Sequence, residues 1–142
     1  MADNILADVN VCLDLLLDRR PFVEASGKIF EMAEQKQINL FISGLSFDTL
    51  FYIMKPALGT DKTTKLLQDF RKLLHVGTVN HHVVDQALHS GWGDLEDALH
   101  YFCAAENRCT ILLSRNKKDF KPADESVVRI LTPEEYLKFF DL

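Results

Sequence analysis

The strongest constraint on this chain is an end-to-end alternation of short apolar runs with longer helical patterns. Residues 5–9 form an apolar run that reads as a buried strand, followed by a leucine-rich helix over 10–18. Pro21 is placed to open the next helix, whose apolar positions include Phe22, Ile29, Phe30 and Ala33. A second strand is expected at 39–43, then a helix over 47–54 that stops before Pro56. Thr60 suits the N-cap of a helix over 61–74, with Leu66, Leu67, Phe70, Leu73 and Leu74 as its apolar stripe. A strand at 76–79, a helix at 83–89 and a break at Gly91-Trp92-Gly93 follow. Asp94 opens a further helix to about Glu106, before strands at 110–114 and 127–131. Thr132-Pro133-Glu134-Glu135 is a helix start: hydroxyl N-cap, proline at N1, glutamate at N3. Such alternation predicts an α/β fold, a mostly parallel central sheet flanked by helices on both faces.

Nothing divides the chain. With 142 residues, no repeat and no Pro/Gly-rich linker, it reads as one domain over 1–142. No signal peptide is visible and no apolar run is long enough for a membrane helix, so cytoplasmic residence is expected and no membrane partner. Cys12, Cys103 and Cys109 lack metal-type spacing and read as reduced thiols. The net charge of −5 argues against nucleic-acid binding through the overall field. Any such role must rest on local basic residues and bound metal.

Ligands of open α/β sheets bind at the carboxyl ends of the strands, where the strand order reverses. Asp8 falls near the end of the first strand, Asp94 and Asp97 at a helix start, Asn116 and Asp119 just after a later strand. Taken singly, Asp94 and Asp97 could cap a helix, and Asn116 and Asp119 could shape a turn. Asp8 is harder to explain so, because a buried carboxylate is costly without a partner or a metal. Gathered at one sheet edge, these carboxylates repel unless a cation sits between them, and Mg²⁺ or Mn²⁺ favours such oxygens. Two ions about 4 Å apart can activate a water and stabilise the leaving oxygen of a phosphodiester.

At this point the chain resembles the PIN-domain family, which includes the toxin ribonucleases of bacterial toxin–antitoxin pairs. Asp8-Val9-Asn10-Val11 resembles the family's Asp-x-Asn opening, and Asp94-Leu95-Glu96-Asp97-Ala98-Leu99 its acidic helix start, with Ala104-Ala105 following. Leu113-Ser114-Arg115-Asn116-Lys117-Lys118-Asp119-Phe120 resembles the Thr-Arg-Asn-x-x-Asp-Phe segment, and Thr132-Pro133-Glu134-Glu135-Tyr136-Leu137 the closing motif of a bacterial subgroup. The resemblance covers nearly the whole chain. It implies a PIN-like three-layer sandwich and an Mg²⁺- or Mn²⁺-dependent ribonuclease acting on single-stranded RNA. It also implies a small antitoxin protein as partner, and a homodimer. By resemblance Asp8 and Asp97 hold metal with Asp94 nearby, Asn116 holds the metal or a water on it, and Asp119 completes the pocket. Ser114 would orient Asp8, and Asn10 would fix the turn after the first strand.

One departure stands out. The family's glutamate on the helix after the second strand is replaced by Thr49, and the adjacent Asp48 is turned by about 100° on a helix. Loss of that carboxylate weakens metal affinity and supports a second reading, a PIN-like binding or assembly module. A phosphotransferase with Asp8 as nucleophile fits poorly, since Asn10 stands where a second aspartate would be needed. Arg115, Lys117, Lys118 and Lys121 are candidates to grip phosphate, whereas Lys62, Lys65, Arg71 and Lys72 read as a solvated face. His81-His82 and the other histidines show no zinc pattern, and Trp92 reads as a loop anchor before a base-stacking platform.

Overall fold

In a computed structural model, which describes residues 2–139, five strands form one wholly parallel sheet in the order β3-β2-β1-β4-β5. The strands are β1 (Asn4–Ala7), β2 (Asn39–Ser43), β3 (His75–Gly77), β4 (Ile111–Leu113) and β5 (Arg129–Leu131). The helices are α1 (Val9–Leu16), α2 (Val23–Glu34), α3 (Gly44–Leu58), α4 (Thr60–Arg71), α5 (His81–His89), α6 (Leu95–Glu106) and α7 (Pro133–Lys138). A 3₁₀ turn, Lys117–Phe120, follows β4.

The pleat of β1 explains the layers. Ile5 and Ala7 enter a core shared with α1, α2, α3, α4 and α7, while Leu6 enters a second core with α5 and α6. Ile5, Leu6 and Ala7 are fully buried because a central parallel strand is covered on both faces. Each large apolar side chain removed from water contributes roughly 1.5–3 kcal/mol. The result is the three-layer sandwich expected from the alternation.

The main differences lie at element ends, and each has a local cause. β1 stops at Ala7 because Asp8 turns the chain into α1 and caps it. Pro21 does not begin α2; it lies in the preceding turn after a cis Arg20–Pro21 bond, and the helix starts at Val23. α3 is longer than expected at both ends. Ser43 caps it, accepting from the Leu45 N–H at 3.2 Å, and the exposed Pro56 is accommodated in its last turn. Thr60 is the first residue of α4, not its N-cap; that place belongs to Gly59, whose φ of 82° suits only glycine comfortably. α4 ends at Arg71, three residues early, and Leu74 is buried in the turn beyond it.

β3 is shifted to His75–Gly77 because Thr78 leaves the ladder. Its N–H donates to Asn107 Oδ1 at 3.0 Å, and its carbonyl accepts from Asn107 Nδ2 at 3.1 Å. Gly77 packs so closely that an added Cβ would lie 2.9 Å from Cys103 Sγ. α5 begins at His81, two residues early, because Asn80 caps it through the Val83 N–H. Thr132 and Glu135 form the expected reciprocal capping box of α7.

The sequence order of the strands places the site. β1→β2→β3 runs towards one edge, and the chain then crosses back through α5 and α6 to place β4 beside β1 on the other side. The β1/β4 junction is therefore the switch point, where two connections leave in opposite directions and open a crevice at the carboxyl ends.

Candidate metal-dependent active site

Asp8 leaves the carboxyl end of β1, and its N–H still donates to the Leu113 carbonyl at 3.1 Å, which ties it to β4. Its side chain caps α1, Oδ1 accepting from the Val11 N–H at 3.1 Å. The carboxylate is 8 % exposed, and burial raises its pKa. A hydrogen bond from Ser114, the Val11 N–H, and the charges of His100 and Arg115 oppose that rise. Ser114 is buried at the end of β4; its Oγ also accepts from the Asn116 N–H at 3.1 Å. One hydroxyl thus links Asp8 to the segment carrying Asn116.

The second group comes from α6, which packs against β1, β2, β4 and the 3₁₀ turn. Asp94 caps the helix, its Oδ1 accepting from the Asp97 N–H at 3.0 Å. Asp97, one turn in, is half-buried. Its pKa is pushed up to about 6, first by burial, then by the charges of Asp94 and Asp119, with Asp8 adding and His100 opposing. Asp119, exposed on the 3₁₀ turn, is therefore brought to the same cluster as Asp8, Asp94 and Asp97. Asn116 is exposed just before that turn.

Other expected residues are engaged elsewhere. The Arg115 guanidinium is held within the fold, gripping Asp14 by two hydrogen bonds, 2.7 Å from Nε to Oδ2 and 3.1 Å from Nη2 to Oδ1. It also lies over the Phe22 ring, 3.9 Å from the centroid. Asp14 is fully buried in α1, so the paired charge is needed there to offset desolvation. Lys117 Nζ pairs with Glu135 at 3.2 Å. Lys118 is exposed. Asn10 lies inside α1, accepting from Arg19 Nη1 at 3.3 Å, while the turn after β1 is fixed by Asp8 instead. Asp48 is exposed on α3 and is not among the charges acting on Asp97, and Thr49 is half-buried beside it. Trp92 packs against Tyr101, Phe102 and Phe120, with centroids 5.2, 6.2 and 5.9 Å away, as a loop anchor does.

Two residues escaped the sequence reading. Asp14 was legible in principle, as a charge inside the apolar run Cys12-Leu13-Asp14-Leu15. His100 was a harder case, although it stands one turn after Asp97 on α6. It is 4 % exposed, and its charge acts on both Asp8 and Asp97.

Among the described residues, no group of three or more His, Cys, Asp or Glu side chains is already arranged to hold an ion. The donor chemistry nonetheless fits a hard divalent cation. The cluster presents carboxylate and amide oxygens, and Asp97, raised first by burial and then by the neighbouring carboxylates, is a group whose charge a cation would favour. The apolar groove of about 390 Å³ between α3 and α4, lined by Phe47, Phe51, Leu67 and Val76 among others, holds no carboxylate.

A family model described as PIN domain matches residues 4–118 of the chain. The chain is 22 % identical over 140 residues to Ribonuclease VapC1 of Aquifex aeolicus, covering 95 % of this chain and 94 % of that one. Its fold is similar to that of VapBC-1 from nontypeable Haemophilus influenzae, with TM-score 0.67 and 15 % identity over 92 % of this chain and 98 % of that one. It is likewise similar to a toxin–antitoxin complex from Klebsiella pneumoniae, with TM-score 0.66 and 20 % identity over 91 % of this chain and 97 % of that one. Among the described residues no helix is long and apolar enough to cross a membrane.

Proposed function

The chain belongs to the PIN-domain family, and on that premise we propose that it is an Mg²⁺- or Mn²⁺-dependent endoribonuclease that cuts single-stranded RNA. What supports this reading is the placement of Asp8 at the carboxyl end of β1, tied to β4 at the switch point of the sheet, under α6, whose first turn carries Asp97. Asp8 and Asp97 would hold the ion, with the Asn116 amide oxygen as a further donor. When bound, the ion would supply Lewis acidity and charge neutralisation for phosphodiester hydrolysis.

The side chains have distinct tasks. Ser114 holds the Asp8 carboxylate through its hydroxyl and fixes the Asn116 backbone through its oxygen lone pair. Asp94 spends one oxygen on the α6 N-terminus, so it acts through charge and helix geometry. Asp119 extends the acidic rim. The Asp14–Arg115 pair anchors the start of the 3₁₀ segment to α1 and keeps Asn116 and Asp119 in register with β4. Lys118 would meet a phosphate beside the scissile one; Lys117 would have to leave Glu135 to do so. No nucleophilic side chain is required, because water attacks in line.

The curated relative is named a ribonuclease and the structural neighbours are toxin–antitoxin complexes. These names support a toxin role with an antitoxin protein as partner; a small antitoxin, cytoplasmic residence and a homodimeric assembly belong to the proposal without support from them. Thr49, standing where the family carries glutamate, favours a second reading, a PIN-fold binding or assembly module of weakened catalysis. A fluorescent single-stranded RNA incubated with Mn²⁺ separates the two. The nuclease reading expects cleavage that EDTA stops and that Asp8→Asn or Asp97→Asn abolishes. Equal cleavage by both variants overturns it, and RNA binding without cleavage favours the module.

A further inference from the structure

We propose that Arg19 and Arg115, brought together by the buried Asp14, form a subsite beside Asp8 that takes one backbone phosphate of a single-stranded RNA. This rests on the ribonuclease reading above and deepens it by giving the strand a place next to the proposed cut. Asp14 lies in α1 with no exposed surface, yet it faces two guanidinium groups. Its Oδ1 accepts from Arg115 Nη2 at 3.1 Å and lies 4.0 Å from Arg19 Nη1. One carboxylate oxygen thus joins two cations that are far apart in sequence.

Neither guanidinium is used up. Asp14 takes the Nε/Nη2 edge of Arg115, and the Phe22 ring covers one face, its centroid 3.9 Å from the guanidinium carbon. Arg115 Nη1 has no partner among the described residues. Arg19 uses only Nη1, which donates to Asn10 Oδ1 at 3.3 Å, so its Nε and Nη2 are free among the described residues. The two side chains are 35 % and 27 % exposed for Arg19 and Arg115, so both groups reach solvent.

Short links fix the place of this pair. Asn10, which Arg19 holds, stands in the first turn of α1, directly after Asp8 and Val9. Arg115 stands between Ser114 and Asn116, and the hydrogen bond from the Asn116 N–H to Ser114 Oγ spans it at 3.1 Å. The pair therefore flanks the carboxyl ends of β1 and β4 on the α1 side.

The charge balance favours an anion there. Two guanidinium groups on one carboxylate leave a surplus positive charge, and the exposed Asp18 and Arg20 on either side of Arg19 cancel each other. A chain of net charge −5 repels a nucleic-acid strand except where such a surplus is fixed locally. Stability does not account for the arrangement, since a buried ion pair is often no better than apolar residues of the same volume. What it supplies is two planar forks restrained before the ligand arrives, and such forks match phosphate oxygens.

Fluorescence anisotropy of a labelled single-stranded RNA, titrated with the full chain in EDTA over a range of salt, tests this. Arg19→Gln is the informative variant, because Asp14 keeps both hydrogen bonds from Arg115 and the melting temperature should stay close to that of the wild type. The expected result is binding weakened roughly three- to tenfold at low salt. The slope of log affinity against log salt should also fall by about 0.7, the share of one phosphate contact on a single strand, and Arg19→Lys should restore it. An unchanged affinity and slope in Arg19→Gln, or no RNA binding by the wild type, overturns the inference. So does a glutamate-rich peptide bound as tightly and with the same dependence on Arg19, which would assign the pair to an acidic protein segment instead. Cleavage in Mn²⁺ is scored separately. RNA held through Arg19 but never cut leaves the subsite standing and removes the nuclease reading, whereas cutting with an unaltered Arg19→Gln slope does the reverse.

Discussion

Replacing Asp97 with asparagine should stabilise the metal-free protein, although it damages the proposed site. Asp97 titrates at 3.8 in an ordinary setting and at about 6 in the folded chain. Between those values the folded protein holds a proton that the unfolded chain has already released. Stability therefore falls as pH rises through that window, and the whole penalty is present above about pH 6. Taken at face value, the shift corresponds to about 3 kcal/mol. Asp97 is only partly buried, and solvent and salt screen its neighbours, which reduces the figure to about 1–2 kcal/mol. Losing a carboxylate from the first turn of α6 also removes a favourable interaction with the helix N-terminus of about 0.3–1 kcal/mol. The net expectation for Asp97→Asn in EDTA at pH 7.5 is a gain of about 1 kcal/mol, or about 2–4 °C in melting temperature. The gain should shrink towards zero by about pH 4. Thermal unfolding followed by circular dichroism at several pH values measures both. A variant no more stable than wild type at pH 7.5, or one whose gain ignores pH, would refute the electrostatic account of the cluster.

Other perturbations test other parts of the structure. Arg115→Ala strips the buried Asp14 carboxylate of both its hydrogen bonds, leaving only Arg19 Nη1 at 4.0 Å, and should cost up to about 3–5 kcal/mol in urea unfolding, whereas the double change Asp14→Leu with Arg115→Leu should recover most of it. Gly77→Ala forces a methyl group to 2.9 Å from Cys103 Sγ and should destabilise by about 1–3 kcal/mol, part of which Cys103→Ala relieves. Thr49→Glu should tighten Mn²⁺ binding by about tenfold or more in calorimetry, as an added charged ligand does in oxygen-donor sites; unchanged affinity would show that α3 does not face the ion.

Much of the fold was legible because its signals are local. The run Ile5-Leu6-Ala7 reads as a buried strand, and it is covered on both faces, while Thr132 and Glu135 announce their own helix start. What stayed hidden depends on partners remote in sequence. The early end of β3 is decided by Asn107, which pairs with both the N–H and the carbonyl of Thr78. Arg115 reads as a free cation beside other cations, yet its partner Asp14 is 101 residues away. At the site, the carboxylates could be placed at strand ends from sequence because a parallel sheet gathers those ends. Their mutual coupling could not, since it depends on how far α6 leans over the β1/β4 crevice. His100 was missed for the same reason: its burial and unpartnered nitrogen exist only in the packed molecule.

Calorimetric titration of Mn²⁺ into the wild type, Asp8→Ala, Asp97→Ala and Asp48→Ala tests the central claim most directly. The account predicts binding to the wild type and to Asp48→Ala, and its loss in Asp8→Ala and Asp97→Ala. No binding to the wild type at millimolar Mn²⁺, or binding untouched by loss of Asp8 and Asp97, would contradict it.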